Sequence, residues 1–237
     1  MAVIVSKQIA VPSLGKLASD YAVGSSVFIP VNGANIEFLV VHQGNPSTSL
    51  YDSSCNGTWL LMKDIYENRQ WHSSDVNNYA NSTIKSYLDS TFYNLLSASA
   101  KAAIKQVKIP YRPGSGTSKT CNTGANGLSC KIFLLSSAEV GFTSSDASFL
   151  PTNEGVKLSY FESGEGTSAK NKRIAKLNGS ATFWWLRSPS CNYSDVACRV
   201  WSDGTISNEN CSNSIGVHPA FIIDSSTKFN PSTNVIL

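Results

Sequence analysis

The segment from Thr182 to Asp224 constrains the fold of this chain more than any other, because two apolar frames enclose a polar stretch within it. The first frame is Thr182-Phe-Trp-Trp-Leu-Arg-Ser-Pro189, and the second is Ile215-Gly-Val-His-Pro-Ala-Phe-Ile-Ile-Asp224. Both are dense in aromatic and aliphatic residues that suit a pleated surface covered by a core. Between them, Ser190 to Ser214 is rich in Asn, Ser, Cys, Tyr, Asp and Trp. Strands are expected over Thr182 to Leu186 and Val196 to Trp201, with Asp203-Gly204 turning the chain into Thr205-Ile-Ser and Gly216 to Ile223 closing the unit. The frames predict a C-terminal antiparallel β meander that holds still while its polar insert is displayed.

Upstream, Ser26-Val-Phe-Ile-Pro-Val and Asn35-Ile-Glu-Phe-Leu-Val-Val-His flank Asn32-Gly33, the strongest short hairpin signal. A further strand is expected over Thr58 to Ile65. Ser82 to Leu96 reads as a helix, with Ser82 as N-cap and Ile84, Tyr87, Leu88, Phe92, Leu95 and Leu96 on one face. A second short helix is expected at about Ser99 to Lys105, then an extended Val107 to Tyr111 that Pro110 and Pro113 terminate. Residues 113–130 form a long Gly/Ser/Thr/Asn loop, Lys131 to Ser136 resumes strand character, and 143–181 reads as mostly irregular. Strands, two helices, long loops and a closing meander indicate an α+β fold. Residues 1–24 are read as a tether or assembly segment and 25–237 as the domain.

Charged residues make up only 15% of the 237, against about a quarter in an ordinary domain. The net charge of +3 has no Lys/Arg block to focus it, which argues against a nucleic-acid footprint. The start, Met1-Ala-Val-Ile-Val-Ser-Lys-Gln8, has no basic n-region ahead of an apolar run and no cleavage pattern, so synthesis in a cytoplasm without a signal peptide is expected. No apolar run approaches the ~20 residues of a membrane helix, so no membrane insertion is expected. Cys55, Cys121, Cys130, Cys191, Cys198 and Cys211 form no Cys-x-x-Cys pair, and His42, His72 and His218 are far apart in sequence. No metal or cofactor is expected from that spacing, and a reducing compartment favours free thiols. Sequons at Asn56, Asn81, Asn178 and Asn192 are read as chance without a secretory route.

Catalytic patterns are weak. Gly114-Ser-Gly116-Thr-Ser-Lys119-Thr120 lacks the spacing and flanking strand and helix of a phosphate loop. His72 sits in Gln70-Trp-His-Ser-Ser-Asp75, where Trp71 is expected to pack on the helix and Ser74 or Asp75 to cap a turn. Phe183, Trp184, Trp185 and Phe221 are read as core, with one of the successive tryptophans inward and one at a layer edge. Arg187 is expected to clamp a buried carboxylate or carbonyls. The insert is different. Tyr193, Arg199 and Trp201 are the residue types that dominate binding hot spots. Asn192, Ser194, Asp195, Ser202, Asn208, Asn210, Ser212 and Asn213 supply adaptable hydrogen bonding around them. Three of the six cysteines also fall in this span. A binding surface is the reading these residues favour, and no catalytic residue is assigned.

The frames also carry a resemblance. Trp185-Leu-Arg-Ser-Pro189, Ala197-x-x-Val200, Asp203-Gly204 and Gly216-Val-His-Pro-Ala-Phe221 resemble an uncharacterised domain family of Gram-positive bacteria and their prophages. The likeness extends over Trp59 to Lys63, Trp71, the helix from Ser82 to Phe92 and Phe133 to Glu139. That family is similar to the C-type-lectin fold shared with formylglycine-generating enzymes and with the variable proteins of diversity-generating retroelements. The resemblance implies a phage or prophage tail protein that binds a host-surface protein or glycan through residues 190–214, alongside other virion proteins and as a homotrimer. It implies localisation in the virion tail. The palette of the insert matches residues that template-adenine mutagenesis produces. His218 stands where the family pattern has Arg, and the lectin calcium tripeptides are absent. Two alternatives are a structural virion component without ligand binding, and a metal-dependent enzyme of the formylglycine-generating type, with Cys191 and Cys198 as a loose analogue of its cysteine pair.

Overall fold

The computed structural model describes residues 15–113 and 118–237. Two five-stranded sheets form the body. In the first, Ser26–Val31, Ala34–Gly44, Gly57–Met62, Ala220–Ile223 and Ile132–Phe133 lie side by side in that order. The Asn32-Gly33 hairpin forms as expected: Val31 pairs with Ala34, and φ is +49° at Asn32 and +79° at Gly33, as a twist-matched two-residue turn requires. The second sheet has the order Ile206–Asn210, Val196–Val200, Trp184–Pro189, Ser214–Val217 and Glu67–Gln70.

The C-terminal unit departs from a simple meander. Its first three strands are antiparallel, but Ser214–Val217 returns on the far side of Trp184–Pro189 and pairs with it in parallel, Trp184 against Gly216. His218 and Pro219 then break the run, and Ala220–Ile223 enters the first sheet between Gly57–Met62 and Ile132–Phe133. The second frame is therefore two strands in two sheets. Proline has no N–H to give to a ladder, which suits Pro219 to the crossover.

Helical segments cover one side. Thr83–Tyr87 continues through a π-helical turn, Leu88–Phe92, into Tyr93–Leu95. The Ser82 side chain accepts from the Lys85 backbone N–H at 3.2 Å, the expected N-cap. Ala98–Ala103 follows with Ser97 as its cap. Residues 143–181 hold more structure than expected, namely a short helix Thr167–Asn171 and a hairpin, Ala175–Leu177 with Ser180–Thr182, turning at Asn178-Gly179.

Successive side chains on a strand face opposite ways. In the second sheet Trp184, Leu186, Cys198 and Val200 join one apolar cluster, while Trp185 and Ala197 join the other, which the 83–95 helix covers. Both tryptophans are fully buried. Neither is at a layer edge, because this sheet has a core on each side. Of the segment read as a tether, residues 1–14 lie outside the described residues. The remainder packs on the domain: Lys16–Leu17 pairs with Lys228–Phe229, and Ala18 and Tyr21 are buried in the core. Residues 114–117 of the Gly-rich loop also lie outside the described residues.

Candidate functional site

The site is built on a buried polar frame. Arg187, with a fully buried side chain, reaches Glu139 through both terminal nitrogens, at 2.5 and 2.6 Å. It also donates to the Pro110, Leu134 and Glu154 carbonyls at 3.0, 3.0 and 3.2 Å. This is the carboxylate-and-carbonyl clamp expected of Arg187. Burial opposes its charge, and the Glu139 carboxylate more than offsets that, so its pKa lies above the usual guanidinium value. Glu139 is completed by the Tyr51 hydroxyl at 2.9 Å and the Ser136 N–H at 2.9 Å. Glu154 is held by Ser188 Oγ and by the Arg112 N–H. Burial pushes the Glu154 carboxyl up to about 7, against the opposing pull of Arg187.

From this frame the insert emerges under tight backbone control. Ser190 N–H donates to Val196 O at 3.0 Å, and Arg112 Nη1 reaches Ser190 O at 3.5 Å. Asn77, fully buried, is the central clamp. Its Nδ2 donates to the carbonyls of Ser190, Tyr193 and Val196 at 2.9, 2.8 and 2.9 Å, and its N–H donates to Ser194 O at 2.8 Å. Cys191 N–H donates to Phe149 O, and Cys211 N–H to Asp195 O. The side chains of Asn192, Tyr193 and Ser194 meanwhile remain exposed, Tyr193 at 61%. The loop presents side chains on a fixed backbone.

The predicted residues divide into two groups. Val196–Val200 and Ile206–Asn210 form a hairpin in which Val196 faces Asn210 and Val200 faces Ile206. One end therefore gathers Asn192, Tyr193, Ser194, Asp195, Asn210, Ser212 and Asn213, beside the 72–76 loop, where Ser212 N–H donates to Asp75 Oδ1. The other end carries Trp201 and Ser202, with Arg199 close behind. Four strand steps separate the ends, about 13 Å. Asn208 faces Cys198 in mid-strand and belongs to neither group. The insert is thus two patches rather than one continuous surface.

Two further corrections follow from burial. Arg199, expected as a displayed hot spot, is only 6% exposed. It lies against Trp185 in register, with its guanidinium 3.9 Å from the Trp201 ring centroid and 4.8 Å from that of Phe183. Cys191, Cys198 and Cys211 are buried and unpaired, so they add nothing to the displayed chemistry. Burial raises all three thiols, Cys211 to about 12. A protonated thiol is the wrong state for attack or for metal ligation. Among the described residues, no three His, Cys, Asp or Glu side chains converge in a way that could hold a metal ion.

His218 occupies the bend between the two sheets. Its Nε2 meets Met62 O, its ring stands edge-on to Trp184 with centroids 4.6 Å apart, and Nδ1 is buried with no hydrogen-bond partner. Burial lowers its pKa to about 4, so the ring is neutral at pH 7. The His72 ring is a local partner, its Nδ1 accepting from the Ser74 N–H at 3.1 Å, while its backbone N–H donates to Cys211 O at 3.0 Å. Trp71 is buried and donates to Leu186 O at 2.9 Å, which ties the 72–76 loop to the first frame. Asn77, Glu139, Glu154 and Arg112 were not legible as site residues. Each is a single polar residue whose partners are distant in sequence.

No helix among the described residues is long and apolar enough to cross a membrane. Comparison with curated proteins and with solved structures yields no match. Residues 56–225 match the family described as a domain of unknown function, DUF6273. That span holds both frames, the insert, the Arg187–Glu139 pair and Asn77, while the Ser26–Val31 and Ala34–Gly44 strands of the first sheet precede it. The match covers well over half of the chain, and the protein is a member of the DUF6273 family.

Proposed function

We propose that this protein is a phage or prophage tail-associated receptor-binding protein, with a C-type-lectin-like fold and a ligand surface formed by residues 190–214. One observation carries the reading: the backbone at 190–196 is pinned by buried donors while the side chains of Asn192, Tyr193 and Ser194 face solvent. A pre-ordered loop loses little conformational freedom on binding, which is how matured recognition loops gain affinity. Five large apolar side chains are exposed among the described residues. Tyr193 and Trp201 are two of them, and Val76 lies on the loop whose Asn77 holds the insert. Side chains could vary at Asn192, Tyr193, Ser194, Asn210 and Asn213 without touching a core contact, as a diversified surface requires. The ligand in this reading is a host-surface protein or glycan. The site is displayed from the virion tail, in a homotrimer whose avidity offsets weak single contacts.

Substitution of Tyr193, Arg199 and Trp201 by Ala together is the test. The triple variant keeps its far-ultraviolet circular dichroism and cooperative unfolding and loses adsorption to host cells; undiminished adsorption by a folded triple variant rejects the reading. An imperfect repeat of codons 190–214 beside a reverse-transcriptase gene in the neighbouring DNA separately tests diversification.

A further inference from the structure

Trp201 stands apart from the other four tryptophans. Trp59, Trp71, Trp184 and Trp185 are all exposed by 1% or less, whereas Trp201 is 37% exposed. Its indole is nevertheless fixed. The Arg199 guanidinium covers one face, and Phe183 meets it edge-on, with centroids 5.2 Å apart at 89°. The turn that carries it is closed by Trp201 N–H to Thr205 O at 2.8 Å, Gly204 N–H to Trp201 O at 2.9 Å and Arg173 Nε to Gly204 O at 2.8 Å. A single flat apolar face is held toward solvent.

The groups behind that face are under-used. Arg199 makes one ion pair among the described residues, Nη2 to Glu209 Oε2 at 3.2 Å, and its buried Nε has no partner. A guanidinium has five N–H donors, and leaving them unsatisfied out of water is costly. The Glu209 side chain is partly exposed, and among the described residues its Oε1 accepts from the neighbouring Asn210 N–H alone, at 3.1 Å. A partly open carboxylate, anchored from behind by a buried guanidinium, therefore lies beside an aromatic platform.

We propose that this end of the hairpin is a subsite for a neutral saccharide. The C–H face of one sugar ring lies on the outer face of Trp201, and a hydroxyl at its rim donates to the partly exposed Glu209 carboxylate, which Arg199 holds from the inner side of the indole. A ring with an apolar face and hydroxyl donors at its rim supplies both contacts at once, which neither an aliphatic side chain nor a simple anion does. The charges around the turn balance, with Arg199, Arg173 and Lys170 against Glu209, Asp203 and Glu165, so no net field selects an acidic ligand. This inference rests on the proposed binding role of the insert and assigns its Trp201 end a ligand class.

The test uses the full chain and acrylamide quenching of tryptophan fluorescence, which reports on Trp201 because the other four are enclosed. The probes are neutral hexose and N-acetylhexosamine disaccharides, with a uronic-acid disaccharide as the charged counterpart. The expected result is that a neutral disaccharide shields Trp201 from acrylamide. The partly exposed Glu209→Ala variant then binds about tenfold more weakly with an unchanged fold, and Trp201→Phe retains more affinity for immobilised disaccharide than Trp201→Ala. Absence of shielding by every neutral disaccharide overturns the inference, as does preference for the uronic acid. Host adsorption separates the two levels. Loss of adsorption in Trp201→Ala, abolished also by protease treatment of the cells and not competed by neutral saccharides, marks a protein ligand and overturns the saccharide class alone. Undiminished adsorption of the triple-alanine variant overturns the receptor-binding reading instead.

Discussion

Replacing Glu139 by Gln is the sharpest test of the buried frame. The substitution preserves side-chain shape but removes the carboxylate bound to both terminal nitrogens of Arg187. Arg187 keeps the carbonyls of Pro110, Leu134 and Glu154, so its N–H groups stay largely satisfied while its charge does not. Breaking one side of a buried pair costs about 3–5 kcal/mol. With a urea slope of about 3 kcal/mol per molar, the unfolding midpoint falls by roughly 1–1.7 M at pH 7. The assay is urea unfolding followed by both fluorescence and near-ultraviolet circular dichroism, whose transitions must coincide for the free energy to be meaningful. Replacing both partners, Glu139→Leu with Arg187→Met, does not recover the loss, because it strands the Tyr51 hydroxyl, the Ser136 N–H and the carbonyls of Pro110, Leu134 and Glu154 out of water. A loss below about 1 kcal/mol in Glu139→Gln refutes the reasoning, since the pair would then behave like one on the surface.

Other outcomes follow from neighbouring residues. Asn77→Ala removes two N–H donors shared among three carbonyls and costs about 2 kcal/mol at about 1 kcal/mol per net hydrogen bond. Amide exchange across 190–196 rises with it, and unchanged exchange would show that the loop does not depend on this clamp. His218 gives a pH signature: its folded pKa of about 4 lies below the ordinary 6.5, so the unfolded chain binds the proton first and stability is lost as pH falls from about 6.5 to 4. The span is about 3 kcal/mol. Glu154 runs the other way, its raised pKa giving stability that is present below about 4.5 and lost as pH rises through about 7. The wild-type minus His218→Gln difference curve isolates the first effect, and a flat difference contradicts it. Gly204→Ala forces a residue with a Cβ into φ +85° and within 2.2 Å of Lys170 O, so a cost of at least about 2 kcal/mol is expected, read as a drop in melting temperature. An unshifted melting temperature would mean that the turn is free to move.

Much of the fold was readable because its signals are local. Asn32-Gly33, Ser82 and the apolar face of the 83–95 helix act on residues within a few positions. The Asn178-Gly179 hairpin carried the same dipeptide signal but was submerged in a polar stretch without clear strand alternation. What alternation could not reveal was topology. Nothing local in Gly216-Val-His-Pro-Ala-Phe221 says that it splits between two sheets, or that its first half pairs in parallel with Trp184. At the site, Tyr193 and Trp201 were found by residue type, since an aromatic in a polar segment has little core to join. Arg199 was misplaced by the same reasoning, because its burial comes from Phe183 and Trp201 folding over it. Cys191, Cys198 and Cys211 count toward a binding span by sequence alone, although small thiols are among the most readily buried groups.

The central claim is that the insert meets its ligand through side chains held on a fixed backbone. Hydroxyl-radical footprinting of the protein, free and bound to host envelope, tests it most directly, because oxidation reports side-chain exposure residue by residue. Binding is expected to protect Tyr193 and Trp201, both open in the free chain, while the buried Trp184 and Trp185 remain unreactive in both states. Protection confined to surfaces outside residues 190–214 and the 72–76 loop, with Tyr193 and Trp201 still fully reactive in the bound state, would contradict it.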